Sequence, residues 1–126
     1  MIRVKYLFAA TVLITTAAQA IDMPQDLWGV YSMDKASCQS ELAEYKKSKD
    51  NLPYLMIEKT GATWFRGSCK PTKVTGGNGV YKIAEVCLDE DGKSKSNATY
   101  TIDGSKLTHA VSKAGSGTYL KCSGPL

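Results

Sequence analysis

The chain has 126 residues and carries 16 basic and 12 acidic side chains, a formal net charge of +4. This is the length of one small domain. Arg3 and Lys5 lie in a predicted leader, so the rest of the chain has 14 basic residues against 12 acidic ones, a net charge of +2. Nucleic acids and anionic membranes bind concentrated basic patches, so this even balance predicts neither of them as a partner.

The first 20 residues, MIRVKYLFAATVLITTAAQA, have the three parts of a secretory signal peptide. Two basic residues precede an apolar run over 6–18, and Ala18-Gln19-Ala20 is a small-residue cleavage site. The run is shorter than the roughly 20 apolar residues that span a bilayer. We therefore expect a signal peptide at 1–20 and a single soluble domain at 21–126, periplasmic or secreted and without a membrane anchor.

The mature chain begins with one predicted strand and one predicted helix. LWGVYS at 27–32 has the composition of a short strand. The next segment predicts an amphipathic helix over roughly 35–48 with Asp34 as its N-cap, because apolar side chains recur there at helical spacing. Those side chains are Cys38, Leu42 and Tyr45. The helix ends before Pro53, which disfavours helix for the residue that precedes it.

From Pro53 onward the sequence alternates between strand-like segments and tight turns. The strand-like segments are YLMIEK, ATWFRGSC, KVT, VYKIAEVCL, NATYTI, KLTHAV and TYLKC. Glycine-containing turn sequences separate them at even intervals, including GGNG at 76–79 and AGSG at 114–117. This pattern predicts a mainly β fold, an antiparallel meander of about seven strands that forms a small barrel or a curled sheet, preceded by the one helix.

Four cysteines, Cys38, Cys69, Cys87 and Cys122, lie in the predicted exported domain, where oxidising conditions favour disulfides. Their wide spacing lacks the close C-x-x-C pairs of zinc sites and redox motifs. If the GGNG hairpin folds about Asn78, Cys69 and Cys87 are equidistant from its centre and face each other across two strands. The predicted disulfides are Cys69–Cys87 and, for the remaining pair, Cys38–Cys122.

Candidate catalytic residues are few. His109 is the one histidine, and on a strand it shares a face with Leu107 and Val111, so we expect it to be packed rather than catalytic. DED at 89–91 places three carboxylates at a hairpin tip, where a solvated turn is favoured over a weak cation site. No phosphate-binding loop, paired-carboxylate motif or Ser/His/Asp order is present. We therefore expect no catalytic residue, no metal and no cofactor.

The segment SKAGSGTYLKC at 112–122 predicts a loop followed by the last strand. Serine and glycine adapt to a partner surface, whereas tyrosine provides contact area at low entropic cost. We predict a partner-binding loop formed by Lys113, Ser116, Gly117 and Tyr119, with an ordinary hairpin turn as the alternative.

Two short segments resemble the periplasmic and membrane-bound inhibitors of C-type lysozyme. VCLDEDG at 86–92 is similar to that family's Cys-Asp-rich strand end, and SKAGSGTY at 112–119 is similar to its Ser-Gly-x-x-Tyr loop. The resemblance implies a disulfide-stapled antiparallel barrel whose loop serine and nearby lysine engage the catalytic carboxylates of lysozyme. Ser116 would be that serine and Lys113 that lysine.

Three functions follow as hypotheses. The first is an exported binding protein that inhibits a C-type lysozyme or another envelope enzyme, with a protein rather than a nucleic acid as its partner. The second is a small lipocalin-like carrier of an apolar ligand, lined by Trp64, Tyr81 or Tyr100, although enclosing a ligand usually takes eight strands. The third is a hydrolase that uses His109.

Overall fold

The computed structural model of the chain describes residues 21–111 and 115–123, and the predicted signal peptide at 1–20 lies outside the described residues. Over this part, eight antiparallel strands form a closed barrel in chain order, with β1 pairing with β8. The elements are a 3₁₀ turn Gln25–Leu27, β1 Gly29–Ser32, α1 Lys35–Lys47, β2 Leu55–Glu58, β3 Gly61–Trp64, β4 Gly67–Gly77, β5 Val80–Asp89, β6 Gly92–Asp103, β7 Lys106–Val111 and β8 Gly115–Ser123. The predicted fold class is confirmed.

The helix lies on the outside of the barrel. It begins after Asp34, whose carboxylate accepts a hydrogen bond from the backbone N–H of Ser37 at 2.8 Å, so the predicted N-cap is correct. Its buried Tyr45 packs against Val30 of β1 and Met56 of β2. These two barrel residues face outward, so the helix covers an apolar patch that the strands would otherwise expose to water.

Both predicted disulfides are present. Cys69 and Cys87 are direct register partners in β4 and β5, with Cα atoms 4.0 Å apart. Cys38 of α1 is bonded to Cys122 of β8 across a sequence separation of 84 residues. In the loop-entropy description the longer bridge stabilises the fold by about 4.5 kcal/mol and the shorter one by about 3 kcal/mol. The longer bridge also holds the helix against the seam between the first and last strands.

Two predicted strand segments have other bounds in the structure. ATWFRGSC is divided between two strands, because β3 ends at Trp64 and β4 begins at Gly67, with a turn at Phe65 and Arg66, and KVT continues β4 instead of forming a strand of its own. Neither turn residue is one of the types that usually mark tight turns, so the sequence gives no local signal for it.

The last strand begins earlier than the sequence predicted, so the second half of the predicted binding loop lies in a strand, and its role in partner binding stays a prediction. β8 begins at Gly115, so Ser116, Gly117 and Tyr119 lie in a strand that pairs with β7. Strand pairing satisfies the backbone polar groups of β7, which would otherwise be left open at the edge of the sheet. Lys113 lies outside the described residues.

The barrel interior is the hydrophobic core, and one end of it is plugged. Inward side chains from the strands pack with Met23 and Leu27, which close the barrel at the 3₁₀ turn and are 2% and 0% exposed. We call this the closed end. The opposite end, where β3 ends and β8 begins, is the open end. Polar groups at the closed end are paired, since Trp28 donates to the Met23 carbonyl at 2.9 Å and Tyr31 to the Leu27 carbonyl at 2.7 Å.

Candidate functional site

A cavity of about 310 Å³ opens at the open end of the barrel. Five of the side chains around it are aromatic rings, and one is the lone histidine. The lining residues are Tyr54, Leu55, Ala62, Trp64, Phe65, Arg66, Tyr100, His109 and Tyr119. Concave sites with mostly apolar walls and few polar groups are the usual form of small-molecule sites. This cavity is the strongest candidate site in the described part of the chain.

The rim of the cavity is held by the helix. Glu41 of α1 accepts hydrogen bonds from the Ser32 hydroxyl at the end of β1 and from the backbone N–H of Tyr54. These bonds fix the chain where it enters β2. The Tyr54 ring then lies 5.7 Å, between centroids, from the ring of Tyr119 in β8. The helix, which the sequence alone gave no functional role, therefore positions one side of the rim.

The other side of the rim is the exposed turn at Phe65 and Arg66, which connects β3 to β4. Phe65 is 70% exposed, and the Arg66 guanidinium lies 5.0 Å from the centre of the Phe65 ring. An aromatic ring this exposed contributes little to the core, because most of its surface stays in water. Both side chains line the cavity.

A buried acid lies behind the cavity wall and contacts the wall residue Tyr100. Glu85 of β5 is 3% exposed, and the hydroxyl of Tyr100 donates a hydrogen bond to its carboxylate. Burial raises the pKa of Glu85, although the bond from Tyr100 lowers it in part. Burial also raises the pKa of Tyr100, with the nearby Glu85 charge adding to this, so the phenol keeps its proton. Tyr100, which is 1% exposed, is therefore fixed in orientation at the cavity wall.

His109 of β7 is the unsatisfied polar group of the cavity. Its ring lies 4.6 Å from the ring of its register partner Tyr100, measured between centroids. The buried Nε2 atom has no hydrogen-bond partner among the described residues. Burial lowers the pKa of His109, so the imidazole is neutral at pH 7. The prediction that His109 shares the packed face with Leu107 is confirmed, since both line the barrel interior.

The predicted partner-binding residues of β8 lie on opposite faces of the strand. Ser116 is exposed on the outside of β8, whereas Tyr119 is half-buried and lines the cavity. Gly117 faces inward opposite His109, and a Cβ atom added there would lie 2.6 Å from the hydroxyl oxygen of Tyr119. Tyr119 lies on the inward side because alternate side chains of a strand point to opposite faces of the sheet.

Of the aromatic residues that the sequence suggested for a ligand site, Trp64 and Tyr100 line the cavity and Tyr81 does not. Tyr81 lies at the closed end, where its hydroxyl donates to the carboxylate of Asp26 at 2.6 and 2.7 Å. Sequence reasoning missed Tyr54, Phe65 and Arg66. These residues could have been found only from their positions next to the ends of strands, and the turn at 65–66 was not predicted.

The described residues contain one compact group of possible metal ligands, and this group does not form a metal site. Cys69, Glu85 and Cys87 lie together, but the two sulfur atoms are bonded to each other and are not free thiolates. The three carboxylates of 89–91 are exposed at the β5–β6 turn, and Asp89 accepts a hydrogen bond from the backbone N–H of Asp91 at 2.8 Å. This is the geometry of a solvated turn.

The comparisons with known proteins add no relative. The chain matches no protein-family model, no curated protein and no solved structure. The resemblance to lysozyme inhibitors therefore stays a prediction. No helix in the described residues is long and apolar enough to cross a membrane.

Proposed function

We propose that this protein is an exported binding protein whose barrel cavity holds a small ligand with a planar apolar ring and one polar atom. The observation that carries the proposal is the buried Nε2 atom of His109, which has no hydrogen-bond partner among the described residues and belongs to a ring that lines an aromatic cavity. Buried polar atoms in folded proteins are nearly always hydrogen-bonded, and an exception at a cavity wall points to a ligand group that completes the bond.

The rings around the cavity define the apolar part of the ligand. Trp64, Tyr100 and Tyr119 come from three different strands and converge on the same space. Aromatic rings prefer offset-stacked or edge-to-face contacts with other planar groups, which favours a flat ligand over a branched aliphatic one. A neutral imidazole nitrogen accepts or donates a single hydrogen bond, so one hydroxyl or carbonyl group on the ligand satisfies His109.

Export fits the chemistry of the domain. The signal-like sequence at 1–20 and the two disulfides both belong to an oxidising compartment, and we place the protein in the periplasm or outside the cell. Eight closed strands make the smallest barrel that commonly holds one small ligand. The observed eight-stranded barrel therefore supports the carrier hypothesis.

Calorimetric titration with a matched pair of probes tests the proposal. 2-Naphthol and naphthalene share a ring system and differ by one hydroxyl group. We expect the oxidised protein to bind 2-naphthol about fivefold more tightly, the value of one net hydrogen bond. His109→Phe should remove this preference and keep naphthalene binding. Tyr81→Phe, which removes a hydroxyl at the closed end, should leave both affinities unchanged.

Two results would contradict the proposal. One is the absence of binding of either probe at millimolar concentration. The other is a 2-naphthol preference that survives His109→Phe, since the hydroxyl would then interact elsewhere in the protein.

A second candidate is inhibition of a C-type lysozyme or another envelope enzyme. The observation in its favour is that Ser116 is exposed near the start of β8, at the same end of the barrel as the cavity mouth. A lysis assay with a C-type lysozyme tests it. Ser116→Ala should weaken inhibition, whereas Thr118→Ala, the next outward residue on the same strand, should not. No inhibition at large excess of the unmodified protein would remove this candidate.

A further inference from the structure

The even charge balance of the sequence conceals a basic face on the barrel. The outward side chains of β4, β5 and β6 include five lysines, all of them exposed. They are Lys70, Lys73, Lys82, Lys93 and Lys95. We call the outer surface of these three strands the basic face. It lies on the opposite side of the sheet from the cavity lining, because side chains alternate between the two faces of a strand.

Strand register brings these lysines together. Lys70 and Lys95 share one row across the three strands with Val86 between them, and the next row places Lys73 beside Ala84. Neighbouring strands are about 4.8 Å apart, so each such row is about 10 Å wide. The charges therefore lie within about one Debye length of each other at physiological salt.

No carboxylate neutralises the middle of this face. The outward positions of β4 and β5, which are described in full, carry no acidic residue, and Glu85 of β5 points into the barrel. β6 carries one outward acid, Asp103, at its last residue, where its register partner is Lys106. Among the described residues, the salt bridge present is Lys47–Glu44 on the helix, so none of the five lysines is paired with a described carboxylate.

The basic face contains a depression of about 440 Å³. Its lining combines two lysines, three alanines and uncharged side chains that form hydrogen bonds. The lining residues are Lys73, Thr75, Lys82, Ile83, Ala84, Asn97, Ala98, Thr99, Ala110 and Val111. Hydroxyl and amide groups both donate and accept hydrogen bonds, whereas ammonium groups only donate.

We propose that the basic face binds an anionic polysaccharide, with one charged sugar unit in the depression. Lysines supply the attraction to sulfate, phosphate or carboxylate groups, and Thr75, Asn97 and Thr99 match the hydroxyl groups of the sugar ring. A layer of phosphatidylglycerol and phosphatidylcholine headgroups offers the charge but fewer hydroxyl groups than a polysaccharide. The site is separate from the barrel cavity and does not depend on the ligand proposed for it.

Two triple variants with the same net charge, which differ in where the charges are removed, test the electrostatic part. The probe is dextran sulfate, with uncharged dextran as the matched control ligand, and binding is measured at low salt. Replacing Lys73, Lys82 and Lys95 by glutamine should weaken dextran sulfate binding by about tenfold or more and reduce its salt dependence.

The matched control replaces three exposed helix lysines, Lys35, Lys46 and Lys47, by glutamine and lowers the net charge by the same amount. This variant should bind dextran sulfate within about twofold of the unmodified protein, because its lost charges lie on the helix and not on the basic face. Equal losses in both triple variants would show that net charge alone is responsible and would overturn the proposal.

A neutral variant tests sugar recognition. Replacing Asn97 by alanine and Thr99 by valine removes two hydrogen-bonding groups and no charge, and we expect dextran sulfate binding to fall about tenfold. Binding to vesicles of equal parts phosphatidylglycerol and phosphatidylcholine should be weaker than to dextran sulfate and unchanged in this variant. Binding to vesicles but not to dextran sulfate, or no effect of the neutral variant, would overturn the proposal.

Discussion

The two ends of the barrel are formed by the same eight strands but differ in how completely they are filled. At the closed end, Leu27 is 0% exposed, and the Tyr81 hydroxyl and the Lys121 ammonium group bond to the carboxylate and the carbonyl of Asp26. At the open end, a cavity separates the rings, and Nε2 of His109 has no partner in the described structure. The closed end has its space filled and these polar groups paired, whereas the open end contains a cavity and an imidazole nitrogen without a described partner.

Because of this difference, we expect the closed end to contribute mainly to stability and the open end mainly to ligand binding. The residues of a filled end make dispersion contacts and hydrogen bonds with each other. The residues around a cavity make fewer of these contacts, because their side chains are separated by the cavity. Natural proteins often accept this loss at binding sites. We therefore expect substitutions at the closed end to act on the free energy of unfolding, and substitutions at the open end to act mainly on ligand affinity.

The same substitution at both ends should give the largest contrast. Leu27→Ala at the closed end should lower the free energy of unfolding by about 3–4 kcal/mol, because it opens a cavity in packed surroundings. Leu55→Ala should cost only about 2 kcal/mol, since Leu55 already borders an empty space. Urea unfolding of the oxidised proteins measures both values. Equal losses would contradict the comparison.

Removal of a tyrosine hydroxyl gives the next largest effect. Tyr100→Phe leaves the buried carboxylate of Glu85 without its hydrogen bond, and we expect a loss of about 2 kcal/mol in the free energy of unfolding. Tyr81→Phe removes an exposed bond to Asp26 and should cost less than about 1 kcal/mol. The reverse order in chemical unfolding would show that the carboxylate finds another partner.

The two buried titratable groups should give opposite pH dependences. The folded pKa of His109 lies below its ordinary value, so its contribution to stability is present above about pH 6.5 and is lost as the pH falls through the folded pKa. The folded pKa of Glu85 is raised, so its contribution is present at acid pH and is lost as the pH rises through that pKa.

Stability measured at pH 7 and pH 5 checks these signs. His109→Phe should flatten the loss of stability between pH 7 and pH 5, and Glu85→Gln should steepen it. The same slope in both variants and in the unmodified protein would mean that neither group changes its proton affinity on folding.

The smallest effect on stability should accompany a clear effect on affinity. Gly117→Ala places a methyl group against the Tyr119 hydroxyl and should displace that ring at the cavity wall. We expect about fivefold weaker 2-naphthol binding and a change in unfolding free energy below about 1 kcal/mol. Gly77→Ala, where an added methyl group contacts nothing within 4 Å, is the matched control and should change neither quantity.

Much of the fold could be predicted because its signals are local. The Asn-Gly turn at 78–79 fixed the β4–β5 hairpin, and Asn78 and Gly79 have the positive φ values of 55° and 83° that such a turn requires. The predicted centre of the hairpin was half a residue away from the observed turn. The disulfide prediction was still correct, because a register shift between Pro71 and Lys73 moves the pairing by one residue before it reaches Cys69 and Cys87.

The candidate site could not be predicted in the same way. Its rim depends on Glu41 reaching Tyr54 across the fold, and its wall depends on which side of β8 faces inward. These contacts join residues far apart in sequence and have no local pattern. The basic face was hidden for a related reason, since counting charges along a chain does not show which strands bring them together.

The most direct test of the central claim uses the two tryptophans, one at each end. The indole N–H of Trp28 donates to the Met23 carbonyl at the closed end, whereas Trp64 lines the cavity at the open end. Two-dimensional ¹H–¹⁵N spectra resolve their two indole signals, and Trp64→Phe assigns them. On titration with 2-naphthol, binding in the cavity at the open end predicts that the Trp64 signal shifts in a saturable manner and that the Trp28 signal does not. Equal shifts of both signals, or a shift of Trp28 alone, would contradict it.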